Sequence, residues 1–408
     1  MAAPVVRTSS AEVLPPPTER YTVLGWLKKN LFTDWFNTLL TFLALGFLYL
    51  IIPPLLRWAF TGAEWAVIPA NFNLFMRGQY PAEQALRIWI VLWLTAIVVG
   101  FTWGVWSKEI SPALVVVAAI PVLLMLVPFF AMETRLKLLG MEVLGVVGYV
   151  IGRRVPRKHN QIATWLLIIT LFASVFILRG FGPEQTDSLW AKVPTNLWGG
   201  LLLSLLLSIF GIGFSFPIGV LLALGRQSKL PAIRTVSVFY IEFIRGVPLI
   251  SLLFMGQVML QLFLPEGFPP IDRVVRALVA IILFSAAYTA ENVRGGLQSV
   301  PKGQYEAAMS LGLNTYQMMR LIILPQALRA VIPVLVGQFI GLFKDTSLVA
   351  LVGLFDLLGI ARVVLANPDW LGTQQEVYVF IAILYWIFSY AMSYASRRLE
   401  ISLGVGQR

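Results

Sequence analysis

The chain has 408 residues, of which 58% are hydrophobic and only 12% are charged. Soluble domains are about 45–50% apolar and about 25% charged, so this composition excludes a soluble globular protein and indicates a polytopic membrane protein. The net charge of +11 comes from cations in short loops between apolar runs. That distribution is typical of loops held on the cytoplasmic side of a membrane, and it does not favour nucleic-acid binding.

Cysteine is absent and His159 is the single histidine. These counts exclude disulfides, thiolate catalysis and metal sites built from cysteine or clustered histidines. Catalytic and metal-binding residues are therefore predicted to be absent.

In chain order, residues 1–33 are predicted to form a disordered cytoplasmic tail, because the first 20 residues are Pro-rich and lack the apolar core of a signal peptide. Residues 34–182 carry an N-terminal group of spans, including a long outer loop at 57–86. A polar turn at 182–187 precedes a second group of five spans at 183–400, and 401–408 form a cytoplasmic C-terminal tail.

The sequence contains ten apolar runs, at 34–56, 87–106, 112–130, 138–152, 162–178, 195–224, 236–264, 274–293, 330–354 and 377–395. The predicted fold is all-α with about eight to ten transmembrane helices. The run 138–152 contains Glu142 and is short for a hydrocarbon core of about 30 Å, so whether it spans stays open. The Lys and Arg distribution places both termini in the cytoplasm.

The loop 294–329 is unusually long for a membrane protein and has a helix–break–helix pattern. Gly312 provides a break where positive φ is allowed, and Asn314 with Gln317 three residues later fits a capping box. The second helix is predicted to stop at Pro325.

Within this loop, Glu306-Ala307-Ala308 combines a carboxylate with two small residues. Two alanines allow close helix docking, and the carboxylate can meet a basic partner. An amphipathic helix lying on lipid is the alternative, but an acidic start suits an anionic membrane surface poorly. The pattern favours docking into a partner protein.

These residues resemble a known family. The spacing of Glu306-Ala307-Ala308, Gly312 and Ile323-Leu324-Pro325 resembles the EAA loop in permease subunits of ABC importers, which have a five-helix type I core. The strings at 242–249 and 343–348 resemble the polar amino-acid branch. With the sequence at 355–360, the chain looks similar to the M-type subunit of the general L-amino-acid permease family.

The resemblance implies a transmembrane subunit of the bacterial inner membrane that translocates L-amino acids of broad specificity. Its implied partners are ATPase subunits, a second homologous permease in a heterodimer, and a periplasmic amino-acid-binding protein. The loop 295–329, through Glu306, Ala307, Ala308 and Gly312, would couple it to the ATPase. No G-x-x-x-x-G-K phosphate cradle occurs in the chain, so ATP and Mg²⁺ would bind the partner and this subunit would not itself be an enzyme.

Ionisable residues inside apolar runs are the second signal, because charge in hydrocarbon costs at least about 2.5–3.5 kcal/mol. Lys344 and Asp345 lie in the run 330–354, followed by Thr346 and Ser347. Neighbours on a helix point in different directions, so Lys344 and Asp345 are not expected to pair. They contact either the substrate or another helix through a polar clamp.

Two further pairs have helical spacing: Glu242 with Arg245, and Glu291 with Arg294. Residues three apart share a helix face, so each pair is expected to neutralise itself. We expect these pairs to have structural or gate-lining roles.

The segment Gly246-Val247-Pro248 directly follows Arg245. Gly246 and Pro248 are expected to bend the span and expose backbone groups. Such a break is tolerated only where the helix faces protein or a cavity.

Three other functions fit the sequence less well. An ion-coupled secondary carrier could use Asp345 or Glu291, but such folds commonly show an internal repeat that is not seen here. An intramembrane enzyme would need a catalytic constellation such as H-E-x-x-H or G-x-S-x-G, which the sequence lacks. A non-transporting anchor would not need charges inside the last five spans.

Overall fold

The computed structural model describes residues 22–107, 112–156, 160–183, 188–402 and 404, and these residues are predominantly helical. Most of the predicted tails, His159 and most of the polar turn at 182–187 lie outside the described residues. Contacts divide the chain into two compact units, 1–64 and 65–408. The helices from 65 to 182 therefore belong to the same unit as the second group of spans.

The first unit contains α1 (Val23–Asn30) and α2 (Trp35–Arg57), which continues as a π-helical turn at Trp58–Gly62. α1 corrects the prediction of disorder for residues 23–30 of the predicted tail 1–33. The Thr22 hydroxyl accepts a hydrogen bond from the backbone N–H of Gly25 and so caps the helix. α2 is apolar all round and none of its residues is buried, which suits a helix facing lipid.

The second unit begins with α3 (Val67–Arg77), a helix within the predicted outer loop 57–86. Phe75 and Val67 are completely buried. Burying such a side chain contributes about 1.5–3 kcal/mol, so α3 is part of the core rather than an appended loop. The buried cluster around it contains Val67, Ile68, Phe75, Leu201, Leu357, Ile360, Ala361, Val364, Val377 and Ile381.

Next come α4 (Leu86–Trp106), α5 (Pro112–Met125), α6 (Met132–Arg154) and α7 (Asn160–Arg179). α4 and α6 pack backbone to backbone at glycines. A Cβ placed on Gly148 would lie 2.1 Å from the carbonyl oxygen of Ile97, and one on Gly104 would lie 2.4 Å from that of Tyr149. Small residues permit this close approach, which is common between membrane helices.

Arg87, in the first turn of α4, is completely buried. Its guanidinium donates hydrogen bonds to the carbonyl oxygens of Leu178, Leu189 and Ala191. The end of α7 and the segment after the polar turn are therefore tied to α4 by one side chain.

The remaining helices follow the polar turn. They are α8 (Gly200–Arg226), α9 (Pro231–Gly246), α10 (Leu249–Phe254, extended by a π-helical turn at Met255–Met259 and by Leu260–Leu262), α11 (Arg273–Ser299), α12 (Lys302–Ser310), α13 (Thr315–Met318), α14 (Leu324–Asp345), α15 (Leu357–Leu365) and α16 (Gln374–Ser402). A π-helical turn at Met319–Ile323 joins α13 to α14, and a 3-10 helix at Thr346–Val352 follows α14.

Seven helices in the described part of the chain are long and apolar enough to cross a membrane, and an eighth span results if α9 and α10 count as one. The ten apolar runs therefore overstate the spans, and the lower end of the predicted eight to ten holds. The runs at 112–130 and 138–152 fail this test. α5 has only 14 residues, whereas α6 has 23 but carries charges at both ends.

Candidate translocation cavity and coupling loop

The loop 295–329 has the predicted helix–break–helix form. Gly312 has φ of +76°, and both capping-box hydrogen bonds between Asn314 and Gln317 are present. The predicted stop at Pro325 is wrong, because the helix runs on through the π-helical turn into α14. Pro325 lies in the first turn of α14, where a missing N–H costs little.

On α12 the motif residues face in different directions. Glu306 and Ala307 are exposed, whereas Ala308 is completely buried against the chain's own core. Ala308 therefore packs internally and cannot meet a partner. The apolar part of this surface is not predicted from the sequence. It consists of the exposed side chains of Met309, Leu311, Tyr316 and Leu321.

A cavity of about 330 Å³ lies between α10, α11 and α14. Its walls are largely apolar and aromatic, with the rings of Phe284 and Tyr288 4.8 Å apart. Asp345 is its charged lining residue. The other lining residues are Leu249, Ile281, Ser285, Gln338, Gly341 and Leu342. This composition, apolar with a few polar groups, is typical of a small-molecule site.

Lys344 and Asp345 do not pair with each other, as expected. Lys344 is exposed, while Asp345 is half-buried and lines the cavity. Within the described residues the Asp345 carboxylate has neither a hydrogen-bond donor nor an ion-pair partner. Thr346 is completely buried and donates to the carbonyl oxygen of Phe343 at 2.7 Å, and Ser347 follows in the 3-10 helix.

Gln338, the other long polar side chain in the cavity wall, is fully engaged. Its amide nitrogen donates to the hydroxyls of Ser285 and Thr289 at 3.1 and 2.9 Å. Its amide oxygen accepts from the Asn292 side chain at 2.6 Å. Gln338 thus joins α14 to α11, and Asp345 is left with the unused hydrogen-bonding capacity.

The two predicted helical ion pairs form one cluster instead. Arg294 contacts both carboxylate oxygens of Glu291, as expected, with its Nε 3.0 Å from each. The expected pair of Glu242 with Arg245 is wrong. The Glu242 carboxylate accepts from Arg226 at 2.8 Å, because the end of α8 lies beside α9. The Arg245 guanidinium lies 3.7 Å from the Glu291 carboxylate instead.

The bend predicted at Gly246 and Pro248 is present. The helix axis bends by 104° between α9 and α10 at this break. Leu249, the first residue of α10, lines the cavity, so the break is next to the cavity.

A buried acid that the sequence analysis did not single out lies beyond the last residue of the 3-10 helix. Asp356 is completely buried and caps α15 by accepting from the backbone N–H groups of Leu358 and Gly359 at 3.2 and 2.9 Å. The hydroxyl of Tyr385 on α16 lies 3.4 Å from the same carboxylate. Burial raises the pKa of Asp356 to about 6, although these hydrogen bonds oppose the shift.

The chain is similar to known transport proteins. Residues 215–403 match the family of the binding-protein-dependent transport system inner membrane component. The chain is 41% identical to the inner membrane amino-acid ABC transporter permease protein YhdY of Escherichia coli K12, over 94% of this chain and 93% of that protein.

A second relative of similar length is the glutamate/glutamine/aspartate/asparagine transport system permease protein BztC of Rhodobacter capsulatus. It is 37% identical over 98% of each chain. The probable glutamine permease GlnP of Bacillus subtilis is 34% identical over 50% of this chain and 92% of its own length. A crystal structure of an amino acid ABC transporter with histidines shares 31% identity over 50% of this chain, with a TM-score of 0.45.

These relatives favour the permease function over the ion-coupled carrier. The family implies an ATPase and a substrate-binding protein as partners, and a place in the inner membrane. The chain is therefore a multi-pass transport subunit rather than an enzyme, and it belongs to the family of amino-acid ABC transporter permeases.

Proposed function

We propose that this chain forms part of an ATP-driven importer of L-amino acids of broad specificity, with the cavity between α10, α11 and α14 on the substrate path. The observation that carries this proposal is the Asp345 carboxylate, which lines a mainly apolar cavity and has no hydrogen bond or ion pair among the described residues. An unpaired charge inside a span is costly, so a ligand cation such as an α-ammonium group is its natural partner. In the alternative, a polar clamp, Asp345 pairs with a polar side chain on another helix of this chain or of a second permease.

The surface of α12 and α13 supports the second part of the proposal, in which the loop 295–329 seats in a separate ATPase that holds ATP and Mg²⁺. Glu306 and Ala307 are exposed there beside large apolar side chains. Exposed apolar groups beside a charge are typical of a protein interface.

The partners we propose are an ATPase on this surface, a second homologous permease in a heterodimer, and a periplasmic amino-acid-binding protein on the opposite side, where α3 and α15 lie. We propose that both termini lie in the cytoplasm.

The decisive experiment is reconstitution in liposomes. The full complex should accumulate L-glutamine when ATP and binding protein are supplied, whereas this chain alone should be inert with or without an ion gradient. Gradient-driven uptake by the lone chain would instead establish a secondary carrier.

A charge reversal tests the coupling surface. Glu306→Lys should abolish copurification of the ATPase or its stimulation by loaded binding protein. Glu266→Lys, an equal charge change on the exposed loop before α11, should leave copurification intact. Normal coupling in Glu306→Lys would refute this role.

A topology reporter tests the orientation. A fusion after Arg408 that is active only in the periplasm should be silent, because Arg397 and Arg398 lie at the end of the last span. Activity of that fusion would invert the proposed topology.

A further inference from the structure

The cluster of ionisable side chains beside the cavity carries one more cation than its carboxylates neutralise. In the described part of the chain it joins three guanidiniums, from Arg226, Arg245 and Arg294, to the two carboxylates of Glu242 and Glu291. A local excess of positive charge raises the concentration of anionic groups around it.

Arg245 is the cation with the weakest attachment. Arg226 and Arg294 have carboxylate oxygens at 2.8 and 3.0 Å, within hydrogen-bonding distance. The nearest carboxylate oxygen of Arg245 belongs to Glu291, at 3.7 Å, which is too far for a hydrogen bond. Its Nε is buried and has no hydrogen-bond partner among the described residues. Arg245 is therefore the least completely paired cation of the cluster.

Arg245 also lies at the cavity. Its guanidinium carbon is 5.6 Å from the ring centroid of Tyr288, which lines the cavity wall. Four residues later, across the break, Leu249 lines the same cavity. A Cβ on Gly246 or Gly341 would meet no heavy atom within 4 Å, so there is open space beside the end of α9 and beside the cavity wall.

Asp345 lies at the other end of this cavity. α11 and α14 run antiparallel, since Gln338 bonds to Asn292 and Thr289 while a Cβ on Gly211 would touch both Leu342 and Ile281. Asp345 is seven positions beyond Gln338, a distance of about 10 Å along the helix. The ammonium and carboxylate of an α-amino acid are attached to one carbon atom, so they lie much closer together than the rise of about 10 Å that separates Gln338 from Asp345.

We propose that the cavity holds two consecutive ligand positions, and that Arg245 exchanges Glu291 for the α-carboxylate of the transported amino acid after the ammonium leaves Asp345. This inference rests on the proposed function and assigns the release-side contact within it. The Arg245 guanidinium thus exchanges one carboxylate for another and is not left without an anion while the ligand moves.

The experiment measures equilibrium binding to the purified full complex in detergent, without binding protein. The probes are L-glutamine and 4-aminobutanamide, the same molecule without its α-carboxylate. The wild-type complex should prefer L-glutamine by at least about tenfold, the size expected for one charge-assisted hydrogen bond. Arg245→Gln should weaken L-glutamine binding to the level of 4-aminobutanamide and leave binding of 4-aminobutanamide unchanged.

Arg234→Gln is the matched control, because it removes an exposed guanidinium from the same helix, α9, outside the cluster. It should retain the preference for L-glutamine. Copurification of the partner subunits and the thermal midpoint identify variants that misfold. Arg245→Lys is a milder variant that keeps the charge, and it should lose only part of the preference for L-glutamine over 4-aminobutanamide.

Three results would overturn the inference. Equal binding of both probes to wild type would exclude a carboxylate contact, and an unchanged preference in a folded Arg245→Gln complex would assign that contact to another residue. If the wild-type complex bound no amino acid at all, the proposed function would fail together with the inference. In the first two results L-glutamine still binds, so they would refute the inference alone.

Discussion

Asp345 and Asp356 lie at the two ends of the 3-10 helix that follows α14, and their surroundings are opposite. Asp345 lines a cavity and has no partner in the part of the chain that the structure describes, whereas Asp356 is completely buried with three hydrogen-bond donors around it. A carboxylate that caps a helix and holds a neighbouring tyrosine stabilises the fold. A carboxylate without donors beside an open volume remains available to a ligand.

Removing the buried acid should have the largest effect. Asp356→Ala leaves two backbone N–H groups of α15 and the Tyr385 hydroxyl without their acceptor. Loss of a cap together with buried unsatisfied donors should lower the free energy of unfolding by about 2–4 kcal/mol, so little assembled complex should form. Thermal unfolding and complex yield measure this effect. Asp369→Ala, at an exposed aspartate of the same segment, should change neither, and wild-type stability in Asp356→Ala would refute the structural role.

Neutralising the cavity acid should leave the fold intact and reduce transport. Asp345→Asn removes the anion but keeps the size of the side chain, so uptake should fall about tenfold or more, with unequal losses among cationic, neutral and anionic amino acids. Competition profiles and complex yield are measured on the same variant, with Asp369→Asn as the matched control. A fall in yield with unchanged preference would establish the polar clamp. If the competition profile and the complex yield of Asp345→Asn both match those of wild type, the Asp345 carboxylate faces water.

The pH dependence of stability should come from Asp356, which lies outside the span that ends at Val352. Burial raises its pKa to about 6, above the usual value of about 3.9, so the folded state binds the proton more readily than the unfolded state. Lowering the pH from 8 to 5 should therefore raise the free energy of unfolding by about 1 kcal/mol, and raising the pH through 6 removes that gain.

Asp356→Asn is the matched variant for this measurement, because it retains an acceptor oxygen but has no titratable proton. Thermal midpoints of the purified complex at pH 5 and pH 8 should differ less in Asp356→Asn than in wild type. Equal pH dependence in the two proteins would assign the effect to other groups.

The contrast between the two aspartates also shows what the sequence could predict. Local signals were sufficient for the coupling loop, where the positive φ of Gly312 and the capping box of Asn314 depend on neighbouring residues alone. Asp345 was recognised because charge inside an apolar run is costly wherever the helix lies. No local signal identifies Asp356, because the segment around it is held by residues far away in the sequence: Tyr385 contacts its carboxylate, and Ser204 accepts from the backbone N–H of Leu357.

The same distinction explains the errors. Glu242 has the correct helical spacing to meet Arg245, but α8 brings Arg226 closer, and no spacing rule contains that tertiary contact. The segment 57–86 is predicted as an outer loop between spans, and no spacing rule shows that this loop contains the helix α3. Its partners on α8, α15 and α16 make it part of the core.

The smallest expected effect is at Ser204, which supports the start of α15 from α8. Its buried hydroxyl accepts from the backbone N–H of Leu357 at 3.2 Å and donates to the carbonyl oxygen of Gly200 at 3.3 Å. Both distances are long, and the junction is also held by the N–H of Gly200 donating to the carbonyl oxygen of Phe355 at 2.8 Å. Ser204→Ala should therefore lower the free energy of unfolding by only about 0.5–1 kcal/mol.

Thermal unfolding and transport of the Ser204→Ala complex test this expectation, with Ser208→Ala, a buried serine one turn further along α8, as the control. Transport should remain normal, since neither Asp345 nor the cavity wall is altered. A loss as large as that of Asp356→Ala would mean that the hydroxyl of Ser204, and not the carboxylate, holds α15 in place. The stabilising role would then move from the acid to the serine, and the contrast between the two aspartates would no longer explain their difference.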